Sequence, residues 1–99
     1  MRAATGSYHF DSASALFFRT PVLRLLQRDG RVVGRFGRRG ILKGTLSDLT
    51  LEARWSDRER TGWLKLTFDD SYQHFEGRYG LVPEQTETQC SGERKRVMP

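Results

Sequence analysis

The sequence predicts an all-β fold: an antiparallel meander of about six or seven strands, in a strongly curved sheet or a small half-open barrel. Three observations lead to this prediction. Apolar residues alternate with polar ones over short runs, turn signals recur about every ten residues, and no amphipathic segment of useful helical length is present. The alternation indicates that one face of the sheet is apolar and the other is solvated.

The chain length limits the protein to a single domain with a thin core. The apolar alternation continues to residue 81 and then stops, so residues 1–81 are expected to form one β-meander domain. Residues 82–99 are polar and end in a basic cluster, Arg94, Lys95 and Arg96. We expect residues 82–99 to form a mostly disordered tail.

The first elements follow from the positions of aromatic residues and proline. The stretch SYHFDSA (7–13) is a short first strand with its tyrosine and phenylalanine on one side. Ser12 or Ser14 could cap a helical turn, but Pro21 would stop it, so a loop or a single turn is expected. A strand over residues 22–27 follows.

Short turns and charged loops separate the remaining strands. RDG and GRRG are tight-turn sequences between apolar runs, and SD, SDRERTG and DDSYQ supply the other connections. The predicted strands cover residues 32–36, 41–46, 49–55, 63–68 and 74–79.

Small residues occupy the centres of four predicted strands on the apolar face. Gly34, Gly44, Ala53 and Gly77 each lie between two bulky apolar residues. A glycine inside a strand costs about 0.5–1 kcal/mol relative to alanine, so its use here requires a reason. We expect Gly34, Gly44 and Ala53 to lie side by side and to let the sheet fold inward over a shared core.

Positive charge is concentrated in one part of the chain. The net charge is +5, and residues 19–43 contain eight Arg or Lys against a single acid, Asp29. Such asymmetry is typical of a surface that binds nucleic acid or another anion, and it also serves solubility. The candidate anion-binding residues lie in the arginine-rich hairpin 28–43: Arg28, Arg31, Arg35, Arg38, Arg39 and Lys43.

Trp63 falls on the polar face of its predicted strand, where a large aromatic residue is unexpected. It is a candidate for stacking on a base, as is Phe36, or for anchoring a partner. The alternative is that Trp63 covers the outer face together with Val33 and Ile41.

The sequence contains no constellation that indicates catalysis or metal binding. His9 and His74 are the only histidines, and neither stands at metal-ligand spacing from another histidine or from Cys90. The acids and serine of DDSYQ, beside His74, are interpreted as a solvated turn. We therefore expect no enzyme activity, no catalytic residue, no metal site and no cofactor.

Localisation is predicted from cysteine content and hydropathy. A single cysteine excludes an internal disulfide framework and fits a reducing compartment. No apolar run approaches the roughly 20 residues that span a bilayer, and no signal peptide is recognised. A cytoplasmic protein without a membrane partner is expected.

The spacing of structural residues over about residues 22–80 resembles a β-meander module of uncharacterised bacterial proteins, with the pattern L-x-Q-x-G, V-x-G-x-Y, G-x-L-x-G-x-W and F-x-G-x-W-G. The chain departs from this pattern at Ala53, where glycine is usual, and in its arginine content. The resemblance implies architecture and carries over no catalytic residues. A looser likeness to avidin-like and lipocalin-like barrels implies a cavity for an apolar ligand. The matching positions are Leu25, Gln27, Gly30, Val32, Gly34, Phe36, Leu42, Gly44, Leu51, Ala53, Trp55, Gly62, Leu66, Phe75, Gly77, Tyr79 and Gly80.

Two functional hypotheses follow. In the first, the protein is a non-enzymatic binding module whose concave apolar face or open sheet edge binds a protein partner, a second copy of itself or a small apolar ligand. In the second, the arginine-rich hairpin 28–43 binds nucleic acid.

Overall fold

Eight antiparallel strands follow one another around a closed barrel in the computed structural model, which describes residues 3–84 and 86–95. One short helix, α1 (Ser12–Phe18), connects β1 to β2. The predicted all-β antiparallel meander is confirmed. The strands are β1 (Gly6–Phe10), β2 (Val22–Arg28), β3 (Arg31–Phe36), β4 (Gly40–Ser47), β5 (Thr50–Ser56), β6 (Thr61–Phe68), β7 (His74–Leu81) and β8 (Thr88–Arg94).

Two details of the expectation need correction: the barrel is closed where a curved sheet or half-open barrel was expected, and part of the expected tail is a strand. β8 pairs with β7 on one side and with β1 on the other, so the barrel closes. Residues 88–94, assigned to a disordered tail, form the strand that closes it. Their inward positions, Cys90 and Gly92, are a small residue and a glycine, so the strand lacks the apolar alternation that marks the others. Gln85 and residues 96–99 of the predicted tail lie outside the described residues.

Helix α1, of seven residues, replaces the loop or single turn expected before Pro21. Its N-cap is Asp11, not one of the predicted serines, and the Asp11 carboxylate accepts a hydrogen bond from the backbone N–H of Ser14 at 2.8 Å. The helix ends at Arg19, which adopts a left-handed conformation with φ of 61°. The proline therefore follows the helix, as the stop signal requires.

The barrel interior is filled by the protein's own side chains. The apolar faces predicted for the strands point inward and are buried, with Trp55 and Phe75 among the largest fully buried side chains. Helix α1 closes one end, where Phe18 stacks on Phe10 at a centroid distance of 4.8 Å and contacts Trp55 at 5.3 Å. Such aromatic pairs contribute about 0.5–1.5 kcal/mol each beyond their burial. The concave face is thus the core itself.

The small residues do not form the straight row across the strands that was expected; their positions are offset from one strand to the next. Gly44 lies directly opposite Ala53, but Gly34 lies opposite Leu42, two residues away from Gly44. The difference arises because the strands of a closed barrel are staggered relative to one another. The space is needed at Gly44, where a Cβ atom would collide with the Glu52 carbonyl.

Arg94 closes the end of the barrel opposite α1. Its guanidinium donates hydrogen bonds to the carbonyls of Ala3, Thr5 and Tyr72 and to the Tyr8 hydroxyl, at 2.8–3.0 Å. It also lies over the Tyr8 ring, 5.1 Å from the centroid. One side chain of β8 therefore ties together the N-terminal segment, β1 and the turn before β7.

We expect Arg94→Leu to lower the free energy of unfolding by about 2–4 kcal/mol, because it removes four hydrogen bonds from a charged donor. The matched control is Arg78→Leu, since Arg78 is an exposed arginine of β7 whose only ion pair is to exposed Glu87 in the described structure. The control should change stability by less than about 0.5 kcal/mol. Urea unfolding followed by tryptophan fluorescence measures both, and equal effects would contradict the proposed role of Arg94.

Candidate functional site

The outer surface of β2–β5 is crowded with cations. Because residues of a strand point alternately to its two faces, burial of the apolar set sends the intervening basic residues outward. All of them are exposed. We call this surface the basic face; its members are Arg24, Arg28, Arg31, Arg35, Lys43 and Arg54.

The strand register sets these cations opposite one another. Arg24 pairs across strands with Arg35, Arg28 pairs with Arg31, and Lys43 pairs with Arg54. Side chains directly opposite in an antiparallel pair are close neighbours, and like charges in such positions are destabilising. The basic face therefore consists of three cross-strand pairs that repel in the isolated protein.

Within the described residues, no carboxylate lies within 4.0 Å of a basic-face cation. Other cations do form ion pairs, as between Lys65 and Glu52, where Glu52 lies on the outer face of β5 two residues from Arg54, and between Arg60 and Asp57. Arg60 and Asp57 are largely buried, and their contact is 2.7 Å. The six cations of the basic face therefore have no ion-pair partner in the part of the chain that the structure describes, whereas Lys65, Arg60 and Arg78 each have one.

The structure redistributes the residues predicted for anion binding. Arg28, Arg31, Arg35 and Lys43 lie on the basic face, whereas Arg38 and Arg39 lie in the turn between β3 and β4. Arg31 begins β3 and Arg38 lies beyond its end, at most about 23 Å away at an extended-chain rise of about 3.3 Å per residue, so the set forms a strip along the barrel and not one hairpin tip.

Sequence reasoning missed Arg24 and Arg54 as members of the site. Both belong to the polar face of the predicted alternation, but neither lies in the hairpin 28–43. Their neighbours Arg35 and Lys43 come from other strands, and only the register brings each pair together. Alternation predicts which face of the sheet a side chain points to, but it does not predict which residue lies opposite on the neighbouring strand.

Three exposed aliphatic side chains lie among the cations. Leu26, Val33 and Ile41 retain 46%, 44% and 45% of their accessible surface. Leu26 lies opposite Val33, and Ile41 lies opposite Arg35 in the next strand. These three residues, which we call the aliphatic stripe, line a shallow groove on the outer face of β2–β4. The surface is therefore both cationic and apolar.

Trp63 is half-buried at the margin of the basic face. It lies opposite Arg54 on β5 and Gly80 on β7. A Cβ atom at Gly80 would come within 2.7 Å of the Trp63 indole nitrogen, so the glycine makes room for the ring. Trp63, Lys43 and Arg54 line one depression together with Val82. Phe36, the other residue considered for stacking, is buried in the core.

Asp11 forms the other polar cluster, beside α1. Its carboxylate accepts hydrogen bonds from the backbone N–H and hydroxyl of both Ser14 and Ser91, at 2.7–3.4 Å. Partial burial by itself raises the pKa of Asp11, but these hydrogen bonds outweigh it and the pKa lies below its ordinary value. Both carboxylate oxygens accept hydrogen bonds from donors of the fold, so Asp11 holds α1 against β8.

Asp69, from the turn that the sequence places beside His74, also has a structural role. Asp69 accepts hydrogen bonds from Ser71 and Gln73, which shape the turn before His74. In residues 3–84 and 86–95, no group of three or more His, Cys, Asp or Glu side chains is arranged to hold a metal ion. In the same ranges, no helix has the length and hydropathy needed to cross a membrane.

Comparison with known proteins supplies no relative: no protein-family model, no curated protein and no solved structure matches the chain.

Cys90 should be unreactive in the folded protein. The residue is buried, and burial raises the pKa of its thiol to about 12, with the nearby Asp11 carboxylate adding to the shift. Because the thiolate is the reactive form, Ellman's reagent at about pH 8 should not titrate Cys90 until denaturant is added. The absorbance at 412 nm measures the reaction. Rapid labelling of the native protein would show that β8 opens or that Cys90 is accessible.

Proposed function

We propose that the protein is a non-enzymatic binding module whose basic face binds nucleic acid. The observation that carries this proposal is the set of three like-charged cross-strand pairs, which have no described acidic partner. Phosphate groups bound along the basic face would attract both members of each pair, and so would replace a repulsion with an attraction. Arginine is suited to phosphate because its guanidinium donates in a fork that matches two oxygens.

The dimensions of the basic face support a polymer better than a single small anion. The cations extend from Arg28 and Arg31 at one end of β3 to Arg35 near the other, with Arg38 and Arg39 beyond it. Phosphates of a nucleic acid recur along the strand and can meet several of these side chains at once. Binding of this kind releases counterions, so affinity should fall steeply with salt.

The surfaces on which the first hypothesis depended, the concave apolar face and an open sheet edge, are not free. The closed barrel leaves none of the eight described strands at a sheet edge. The concave face that was expected to hold an apolar ligand contains core side chains, among them Leu23, Leu42 and Phe75. The outer surface is what remains for binding, and its basic face is its most charged part.

Neutralising two basic-face cations should weaken binding in a salt-dependent way. For Arg35→Gln/Lys43→Gln, we expect the slope of log Kd against log salt to fall in magnitude by about 2, since two phosphate contacts are lost. Fluorescence anisotropy of labelled oligonucleotides, measured from low to moderate salt, gives the slope.

The matched control is Lys65→Gln/Arg78→Gln, which removes the same charge from the outer face of β6 and β7. Lys65 and Arg78 already have acidic neighbours in Glu52 and Glu87, so this variant should bind almost as the wild type does. Equal losses in the two variants would mean that only net charge matters. No binding of DNA or RNA by the wild type at low salt would disprove the proposal.

A protein partner or a second copy of the chain is the second candidate, and the aliphatic stripe favours it. If the stripe mediates self-association, sedimentation velocity at micromolar concentration should show a dimer that Val33→Ser/Ile41→Ser returns to a monomer. Both side chains are about half exposed, so the substitutions should leave folding largely intact. A wild-type monomer at every concentration would exclude self-association.

A further inference from the structure

The cations that we assign to nucleic-acid binding are arranged around the barrel as well as along it. One line of cross-strand neighbours passes from Leu26 through Val33, Lys43 and Arg54 to Trp63. These five residues belong to five consecutive strands, β2–β6. In a closed barrel of eight strands each step turns the surface by about 45°, so this line covers about half of the circumference.

A double helix does not follow such a path. Duplex DNA has a persistence length of about 50 nm, far larger than this barrel, and behaves as a straight rod at the scale of the site. A rod that touches Lys43 on β4 meets a convex surface that curves away on both sides. Arg24 on β2 and Trp63 on β6 then face away from it. A duplex could use only part of the basic face.

A single strand bends freely enough to remain in contact along the whole line. The path from Leu26 to Trp63 measures about 19 Å at the backbone, for four interstrand spacings of about 4.8 Å. Site sizes of about 4–16 nucleotides are usual for small barrels that bind single strands, so a path of this length accommodates the lower part of that range.

The apolar members of the line suit bases that are not paired. Bases of a single strand expose their faces, which stack on aromatic side chains and pack against aliphatic ones. Trp63 stands at one end of the line, and Leu26 and Val33 stand at the other. The bases of a duplex are stacked on one another and offer no such faces. A surface line that contains both apolar and cationic side chains therefore suits a single-stranded nucleic acid better than a duplex.

We propose that single-stranded nucleic acid binds around the outside of the barrel, across β2–β6. Its phosphates contact Arg24, Arg35, Lys43 and Arg54, and one base stacks on Trp63. This inference rests on the proposed function and adds the form of nucleic acid that is bound.

The test compares one sequence as a single strand and as a duplex. Oligonucleotides of about twelve nucleotides, as DNA and as RNA, are labelled and titrated at about 50 mM salt, where phosphate contacts are strong. We expect the single strand to bind at least about tenfold more tightly than the duplex. Equal or tighter binding of the duplex would overturn this inference and leave the proposed function standing. Failure of both forms to bind would disprove the proposed function.

Substitution of Trp63 tests the stacking contact. Trp63→Leu should weaken single-strand binding by about tenfold. Trp63→Phe should reduce the affinity much less, because phenylalanine keeps an aromatic face on which a base can stack. Thermal unfolding of both variants shows whether loss of the half-buried ring changes the fold. If the folded Leu variant binds the single strand as well as the wild type does, the base contact at Trp63 is wrong.

Tryptophan emission gives an independent readout in the unmodified protein. The chain has two tryptophans, and the other, Trp55, is buried among core aromatics. Single-strand binding should quench emission in the wild type, and Trp63→Phe should remove that quenching. Quenching that persists in Trp63→Phe would contradict a base stacked on Trp63.

Discussion

Pairing between the first and last strands is the constraint on which the rest of the structure depends. β1 and β8 meet over only a few residues, with Tyr8 opposite Arg94 and Phe10 opposite Gly92. Side chains reinforce this short seam at both ends: Asp11 binds the backbone of Ser91, and Arg94 binds the N-terminal segment. Without the seam, the sheet would have two edges and the aromatic core would be open to water.

Closure also decides where the protein can bind. A small barrel has an interior just wide enough for its own side chains, and here Phe17 and Phe18 of α1 extend that packing to one end. Arg60 lies 4.6 Å above the Phe17 ring and covers it from the turn after β5. With the core filled and the described strands paired, neither the concave face nor a strand edge is open in the described residues, and for this reason we place the proposed binding on the outer surface.

The sequence indicates the strands well, because alternation and turns are local signals. It indicates the seam poorly, because β8 directs Cys90 and Gly92 into the barrel and Arg94 across its end, a set that lacks the apolar alternation of the other strands. These residues can form the closing strand because of the residues that surround them. Gly92 leaves room for the Phe75 ring, and Arg94 finds four oxygen acceptors at the barrel end. Both conditions depend on residues distant in sequence, so no local pattern reports them.

The candidate site, like the fold, could be predicted in part from local sequence patterns and depends in part on residues distant in sequence. Alternation places Arg31, Arg35 and Lys43 on the outer face, and this could be predicted. The opposition of Arg24 to Arg35 and of Lys43 to Arg54 depends on register. Register was also the source of the error in the glycine row. A local pattern specifies which side of a sheet a residue faces, and turn geometry together with barrel stagger specifies its neighbour.

Composition alone does not account for the like-charged pairs. The chain has acidic residues enough to neutralise part of the basic face, but the described ion pairs use them for other cations, as in the pairs Lys65–Glu52 and Arg78–Glu87; even Glu52, on the same outer face of β5 as Arg54, pairs with Lys65. A solubility device would be served by charges of either sign, interspersed over the surface. Three repulsive pairs on one side of a small domain with a thin core reduce its stability. The anionic partner that we propose, spanning β2–β5, would give that arrangement a physical reason, because it would turn each repulsion into a shared attraction.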